Sequence, residues 1–468
     1  MSHDEGHGQR EELTERSGHG CPATGRGIGK SLRLRSARGY SRPAQTGRSH
    51  LKSSVTVLVG TAAVVVAAFT LPPVSSMAVG AQPEIRVQTL PSPAGPNSSG
   101  PQLTVSSQGV LLSWTERVGP TSSLKFAERT SAGWSPVRTA ASGTDWFVNW
   151  ADVPSVMRLA DGTLAAHWLQ KSGPSTYAYD VRLAYSRDEG KTWSASFLPH
   201  HDGTKTEHGF ASLFQAPGAG LGLVWLDGRA MQAGGGHDQH GEGAGSMSLR
   251  YAAFDKTWKQ VADLPVDLRV CECCPTSAAV TSDGVITAFR NRTQDEIRDI
   301  YVSRLENGKW TEPKAVHNDN WQIGGCPVNG PVLSASGRDV AIAWFTGVVP
   351  PGRVFVAFSK DAGRTFGSPV RVDDQSSLGR VDVELMPDGS ALATWMEIGS
   401  PTELRVRRLQ PLGVRGPAVT VAQMSSGRPS GYPRIARSGT ELIFAWTEVV
   451  PAKAGAAATT RVLTSAGR

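Results

Sequence analysis

The feature that most constrains the fold of this 468-residue chain is a repeat of short apolar strands that end in an aromatic residue. A polar or Gly/Pro-marked segment leads into one apolar strand, a turn follows, and a second strand ends in the aromatic side chain. The aromatic positions are Trp114, Trp168, Trp225, Phe289, Trp344, Trp395 and Trp446. Their separations are 54, 57, 64, 55, 51 and 51 residues. A period of about 50 residues with several strands per unit is typical of a β-propeller, in which neighbouring sheets bury each other's faces.

The repeat predicts an all-β fold with seven blades, and six blades are the alternative if the first unit is irregular. The last unit runs to Arg468 without an obvious outermost strand, and the segment Glu84 to Leu90 could supply it and close the ring. The 52 Gly and 30 Pro residues suit many short strands joined by tight turns. A β-sandwich would not require seven aromatic residues in register.

The first 81 residues are typical of an export signal. Residues 1–54 are polar and basic, residues 55–71 form an uncharged apolar run of 17 residues, and small residues precede Gln82. This order predicts a basic leader over 1–54, a signal peptide over 55–81 and a single propeller domain over 82–468. The alternative is a membrane anchor at residues 55–71, since that length is borderline for spanning a bilayer. We expect the protein in the periplasm or outside the cell.

Most of the net positive charge of the chain comes from the leader. Without residues 1–81 the chain holds 38 Lys and Arg and 36 Asp and Glu residues, which is a formal net charge of +2. A nucleic-acid partner is therefore not supported. We expect a monomer.

Two segments match the Asp-box pattern Ser-x-Asp-x-Gly-x-Thr-aromatic over its full length. They run from Ser186 to Trp193 (SRDEGKTW) and from Ser359 to Phe366 (SKDAGRTF). In this turn the Asp accepts backbone hydrogen bonds and the Gly takes a positive φ. The chain therefore resembles the sialidase-like (bacterial neuraminidase repeat) superfamily over most of residues 84–466. The resemblance implies a propeller whose Asp-boxes are structural and a glycan-directed hydrolase or binding protein; an enzyme would be a glycoside hydrolase of sialidase-like type.

Sialidases bind the sialate carboxylate with three arginines and use a Tyr–Glu pair and an Asp in catalysis. Arg380 and Tyr432 stand where the resemblance places a late arginine and the tyrosine. Asp152 stands where the first arginine would be, and its charge would repel a sialate carboxylate. Arg290 and Arg292 are further candidates for binding an anionic group. The predicted catalytic set is Tyr432, Arg380, Asp152 and Arg292, and the expected ligand is a glycan other than a typical sialoside or another small anion.

The least usual segment is RVCECCPT, which contains Cys271, Cys273 and Cys274, and a second segment, GGCPVNGP, contains Cys326. Both precede the inner strands of units four and five, and His208 precedes that of unit three. In a propeller these segments meet at one mouth of the central channel, where thiols and an imidazole could bind Cu or Zn. The spacing matches no standard zinc motif. The alternatives are disulfides, which an oxidising compartment favours, or free thiols. A non-catalytic interaction scaffold is the third possible function.

Overall fold

The computed structural model describes residues 85–218, 220–231, 245–452 and 458–468. The leader and the apolar segment predicted over residues 1–81 lie outside these described residues. Seven antiparallel sheets follow one another along the described chain, and we call them blades 1 to 7. Within the same residues, no helix is long and apolar enough to cross a membrane.

The first strand, β1 (Val87–Leu90), belongs to blade 7. Blade 1 contains β2 (Ser98–Ser106), β3 (Gly109–Val118), β4 (Thr121–Thr130), β5 (Gly133–Trp134) and β6 (Arg138–Gly143). Blade 2 contains β7 (Ser155–Arg158), β8 (Leu164–Lys171) and β9 (Tyr179–Ser186). Blade 3 contains β10 (His208–Ala216), β11 (Gly220–Asp227), β12 (Ser248–Phe254) and β13 (Gln260–Asp267). Blade 4 contains β14 (Ser277–Thr281), β15 (Gly284–Arg290), β16 (Ile300–Glu306), β17 (Lys309–Trp310) and β18 (Lys314–Ala315).

Blade 5 contains β19 (Val332–Ser336), β20 (Asp339–Thr346), β21 (Arg353–Ser359) and β22 (Val370–Arg371). Blade 6 contains β23 (Ser377–Leu385), β24 (Ala391–Glu397), β25 (Thr402–Leu409) and β26 (Val419–Met424). Blade 7 contains β27 (Arg434–Ser438), β28 (Glu441–Val450) and β29 (Thr459–Gly467), and a 3₁₀ turn at Arg428–Ser430 precedes it. β1 pairs with β29 at the outer edge of this blade, with Val87 opposite Gly467.

The first strands of the seven blades form a closed ring. Each of β2, β7, β10, β14, β19, β23 and β27 contacts the first strands of the blades before and after it, and β27 contacts β2. The described chain is therefore a seven-bladed β-propeller, and the predicted fold class and blade number are confirmed. Because every blade begins with its inner strand, the segments that precede these strands all lie at one end of the ring.

The aromatic residues that gave the repeat all lie in the second strand of their blades. Four of them, Trp114, Trp225, Trp344 and Trp395, are the largest completely buried side chains of the described residues. Their indole N–H groups donate to carboxylates; Trp225 donates to Asp227 over 2.9 Å and Trp344 to Asp319 over 2.8 Å. Each aromatic ring thus fills the space between blades while its polar atom stays paired.

The two Asp-boxes have the same hydrogen bonds. In the first, Asp188 Oδ1 accepts from Thr192 N over 2.9 Å and Asp188 Oδ2 accepts from the Thr192 hydroxyl over 2.7 Å. Gly190 has a φ of 76°, and a Cβ there would lie 2.5 Å from the ring of Phe126 in blade 1. Glycine is therefore required by both the backbone and the neighbouring blade. Asp361 makes the equivalent bonds to Thr365 over 2.9 and 2.6 Å.

We predict that Asp188→Asn lowers the melting temperature by a few degrees at neutral pH. The hydrogen bonds from Thr192 lower the pKa of Asp188 to about 2. The stabilisation by the carboxylate is therefore present above about pH 4, the unfolded pKa, and is lost as the pH falls toward 2. Denaturant titrations from neutral pH to about pH 3 should show the gap between wild type and variant closing below pH 4. The matched control is Asp295→Asn, at an exposed carboxyl; an equal loss in this control would contradict the assignment.

Candidate functional site

Side chains from five blades pack together at the end of the ring where the inner strands begin. Trp150 precedes β7, Phe210 lies in β10, Val328 precedes β19 and Tyr432 precedes β27. They pack in one apolar group with the cysteines before β14 and with Cys326. We call this group, Trp150, Phe210, Val328, Tyr432 and the four cysteines, the mouth cluster. The predicted convergence of these segments therefore brings together residues that are far apart in the sequence.

The predicted catalytic residues Arg380 and Tyr432 both contact Trp150. The Arg380 guanidinium lies 4.6 Å from the centre of the Trp150 ring, and the Tyr432 ring stacks on the same indole at 5.9 Å. Arg380 donates to the carbonyl of Gly427 over 2.9 Å, and the Tyr432 hydroxyl donates to the carbonyl of Val328 over 2.5 Å. Burial raises the pKa of Tyr432 above its ordinary value and lowers that of Arg380. Both side chains are held by these contacts beside Trp150, and their catalytic role stays a prediction.

Arg292 belongs to a buried ionic network beside the cysteines. It pairs with Glu272 and, over 2.7 Å, with Glu296. Arg298, which is completely buried, donates to Glu272 over 3.0 Å and to Glu296 over 2.8 Å. Two guanidinium groups thus share two carboxylates. Arg290 lies nearby, completely buried, with its donors on backbone carbonyls such as that of Asn329.

Asp152 is one member of a buried triad with Tyr179 and Glu207. The Tyr179 hydroxyl lies 3.0 Å from Asp152 Oδ2 and 2.7 Å from Glu207 Oε1. The backbone N–H of Phe210 donates to Asp152 Oδ1 over 2.7 Å. A single hydroxyl proton cannot serve two carboxylates, so a protonated Asp152 that donates to Tyr179 Oη completes the set.

Electrostatics agree with a protonated Asp152. Burial and the neighbouring Glu207 charge raise the pKa of Asp152 to about 8, against the opposing hydrogen bonds from Phe210 and Tyr179. Burial and the same two carboxyl groups raise the pKa of Tyr179 well above its usual value. The triad therefore holds a proton on a carboxyl group at neutral pH, in a place that is closed to solvent.

Three of the predicted metal-binding cysteines lie together. Cys271 Sγ is 3.2 Å from Cys274 Sγ and 4.0 Å from Cys273 Sγ, and all three side chains are buried. Cys326 is half-buried and its side chain interacts with Cys273. The described residues contain no disulfide. We call these four residues the thiol group.

The thiol group is not electrostatically uniform. Burial raises the pKa of Cys271, but hydrogen bonds from Cys273 and Cys274 and the charge of Arg298 outweigh it and hold that pKa well below its usual value. Arg298 Nη1 lies 3.3 Å from Cys271 Sγ. Burial raises the pKa values of Cys273 and Cys274. Cys271 is therefore the most acidic thiol of the three, and Cys273 and Cys274 are its hydrogen-bond neighbours.

His208, the fifth predicted metal ligand, faces a different set of side chains. The side chains of Asp180 and Asp202 face its ring nitrogens. Among the described residues, no candidate set of metal ligands contains both His208 and a cysteine. The sequence reasoning also missed Tyr179 and Arg298, since neither belongs to a motif. The only signal for Arg298 is the density of charged residues between Arg290 and Tyr301.

No protein-family model and no curated protein sequence matches the chain. Among solved structures, the BP39L lectin from Burkholderia pseudomallei has a TM-score of 0.52 at 10% identity, covering 75% of this chain and 92% of the lectin. The polysaccharide lyase Uly1 has a TM-score of 0.46 at 12% identity, covering 78% and 89%. The NanB sialidase from Streptococcus pneumoniae has a TM-score of 0.44 at 10% identity, covering 72% and 80%.

The likeness to the lectin shows a shared β-propeller fold. Within that fold, the two Asp-box turns resemble those of the sialidase-like superfamily. At these identities the comparisons show the fold alone.

We predict that Asp152→Asn changes the pH dependence of stability. The folded pKa of about 8 lies above the unfolded value, so the neutral carboxyl stabilises fully below about pH 4 and its contribution is lost as the pH rises toward 8. Asparagine stays neutral throughout. Wild type should therefore lose up to about 1.4 kcal/mol per pH unit relative to the variant between pH 5 and 7.

Urea denaturation at several pH values measures this difference. Asp152→Ala, which removes the acceptor of the Phe210 N–H, should be destabilised at every pH. A wild-type to Asn difference that stays constant from pH 5 to 7 would mean that Asp152 ionises normally.

Proposed function

We propose that this protein is an extracytoplasmic metal-binding propeller that holds Cu or Zn in the thiol group. The observation that carries the proposal is the packing of two buried sulfur atoms, those of Cys273 and Cys274, within 4.0 Å of Cys271 Sγ, beside the guanidinium of Arg298. The proposed compartment rests on the export signal predicted over residues 55–81.

The sulfur positions suit a metal better than a disulfide. A disulfide requires sulfur atoms about 2.05 Å apart, whereas the two distances from Cys271 Sγ are 3.2 and 4.0 Å. Sulfur atoms that share a tetrahedral Zn²⁺ lie about 3.8 Å apart, given a Zn–S distance of about 2.3 Å. The distance of 4.0 Å between Cys271 and Cys273 is close to this value. A small rotation of the Cys274 side chain would lengthen its distance of 3.2 Å from Cys271 to the same value.

The surroundings favour thiolates. A metal ligand must be deprotonated, and hydrogen bonds from Cys273 and Cys274 together with the charge of Arg298 already hold the pKa of Cys271 low. Metal binding would lower the pKa values of Cys273 and Cys274 in turn. Thiolate ligands select soft or borderline cations, which are Cu⁺ and Zn²⁺.

We predict that tag-free protein purified without chelators contains Cu or Zn bound by thiolates, and that Cys273→Ser/Cys274→Ser lowers the metal content by one equivalent. Elemental analysis measures the metal, and Co²⁺ loading should give thiolate-to-metal charge-transfer absorption in wild type alone. The matched control is Cys21→Ser, which removes a thiol of the leader and should leave the metal content of the uncleaved chain unchanged.

A thiol titration distinguishes the alternatives. Denatured, metal-free full-length chain should show all five thiols. Fewer reactive thiols without a reductant, together with no metal, would show disulfides and overturn the proposal. Five reactive thiols with no metal would show free thiols and overturn it as well.

A second candidate function is the binding of an anionic glycan between blades 4 and 5. A cleft of about 520 Å³ lies between the outer strands of blade 4 and the Asp-box of blade 5. Arg304, Lys314 and Arg364 line it with a single carboxylate, Glu312, and Phe366 offers an aromatic face. Cationic and aromatic groups in one open cleft suit an acidic sugar. Lectin and polysaccharide-lyase propellers among the structural neighbours also support this candidate.

We predict that Arg364→Ala weakens binding of a sulfated, glucuronate-containing oligosaccharide about 10-fold or more, since a charged hydrogen bond is lost. Calorimetry with this sugar and with a neutral oligosaccharide of equal length measures the effect. Arg338→Ala is the matched control, because Arg338 is exposed and pairs with the same Asp283 but does not line the cleft. Equal affinity for both sugars would exclude the cleft; release of sugar by wild type but not by Tyr432→Phe would support the predicted catalytic set instead.

A further inference from the structure

Two histidine rings stack against each other between blades 2 and 3. The rings of His200 and His208 lie 3.9 Å apart and are parallel to within 6°. His200 belongs to the loop after β9, and His208 is the first residue of β10. His208 is completely buried, and the His200 side chain is 3% exposed. Two buried imidazoles in face-to-face contact cannot both carry a positive charge without strong repulsion.

Three of the four ring nitrogens make no hydrogen bond. His208 Nδ1, His208 Nε2 and His200 Nε2 are all buried without a hydrogen-bond partner, and so is Asp180 Oδ1, which faces two of them. Buried polar atoms are almost always paired, by protein, water or an ion. Several orphaned atoms that face one point therefore indicate a missing partner.

The distances around Asp180 are those of metal ligands. Asp180 Oδ1 lies 3.4 Å from His208 Nδ1 and 3.8 Å from His200 Nε2. Hydrogen bonds between nitrogen and oxygen are about 2.7–3.2 Å long. Donor atoms that share a tetrahedral Zn²⁺ lie about 3.3 Å apart, given metal–ligand distances of about 2.0–2.1 Å. The three atoms are thus too far apart to pair with each other and close enough to share an ion.

Asp202 supports both rings from the other side. Its Oδ2 accepts from His200 Nδ1 over 2.9 Å and lies 3.3 Å from His208 Nε2. The backbone N–H of Thr204 fixes the other oxygen over 2.9 Å. A histidine that ligates a metal commonly donates its second ring N–H to a carboxylate, which orients the ring and raises its basicity. Here Asp202 makes this bond to His200 and lies close to the corresponding nitrogen of His208.

We infer that Asp180, His200 and His208 form a binding site for a divalent transition metal, with Asp202 as the carboxylate that orients both imidazoles. Two neutral imidazoles and one carboxylate suit Zn²⁺ and its neighbours in the first transition row. Three protein donors leave one position for water or a ligand, and the Asp180 side chain, 13% exposed, is the most open of the three. The site is separate from the thiol group and does not depend on it.

The site would link blades 2 and 3. Asp180 lies in β9, His208 in β10, and His200 in the connection between them. Blade 2 has three strands where the other blades have four or five, and this connection runs beside β9 in place of a fourth strand, with isolated bridges from Phe197 to Leu183 and from Glu207 to Tyr179. A metal at this point would hold the connection in place.

The test uses tag-free protein in the Cys273→Ser/Cys274→Ser background, so that the thiol group cannot contribute. Titration with Co²⁺ should give d–d absorption bands without thiolate charge transfer, and calorimetry with Zn²⁺ should show one tight equivalent. Asp180→Asn should remove this equivalent. Asp202→Asn, which leaves all three donors in place, should weaken binding about 10–100-fold. The matched control is His201→Gln, an exposed neighbour bonded to Gln260, and it should bind like the parent.

Circular dichroism of each variant establishes that the fold is retained. His200→Gln provides a second ligand variant if Asp180→Asn does not fold. If the parent and the ligand variants bind metal equally, the metal is bound by other histidines, and the inference is overturned. Absence of any tight equivalent in the parent overturns it too, and the stacked pair would then be one neutral and one protonated imidazole held by aspartates.

Discussion

Closure of the ring is the constraint on which the rest of this structure depends. Seven sheets can close only if each buries both faces against its neighbours, and the buried tryptophans of the second strands fill those interfaces. Because each blade begins with its inner strand, closure also gathers seven unrelated segments at one end. Trp150 and Tyr432 belong to blades 2 and 7 and stack there. The mouth cluster is therefore a product of topology rather than of any local motif.

The fold was predictable because its determinants are local and repeated. The spacing of the aromatic residues reports the length of a blade, and the Asp-box pattern reports a turn whose bonds are made within seven residues. The carboxylates that accept hydrogen bonds from the buried indoles form a further local pattern in the sequence. Trp225 and Trp395 each donate to a carboxylate two residues later in the chain, on Asp227 and Glu397. Such an acid stabilises the one polar atom of a buried indole.

The site was predictable only in part, because its contacts are made across the ring. The sequence predicted that the two cysteine segments meet at one mouth, and the structure packs them together there with Tyr432. It could not show that Trp150 would cover both Arg380 and Tyr432 and leave them buried. Tyr179 and Asp180 show a second limit. They are neighbours in β9, and alternation of side chains along a strand directs one to the carboxyl triad and the other to the histidines. Neither destination is visible without the partner segments.

The two proposed metal sites differ in the charges around them, and this difference follows the chemistry of their donors. The thiol group lies beside Arg298 and near Arg290, so thiolate charge is partly balanced before any cation binds. That setting suits Cu⁺ or Zn²⁺ held by sulfur. The stacked histidines face Asp180, Asp202 and Asp227, and the cation that pairs with Asp227 and approaches Asp202 is Arg229. Three carboxylates and one guanidinium around two neutral imidazoles leave an excess of negative charge, and a divalent ion would balance it. Donor softness and local charge therefore give the two sites different preferences, since Zn²⁺ suits both and Cu⁺ suits the sulfur donors alone.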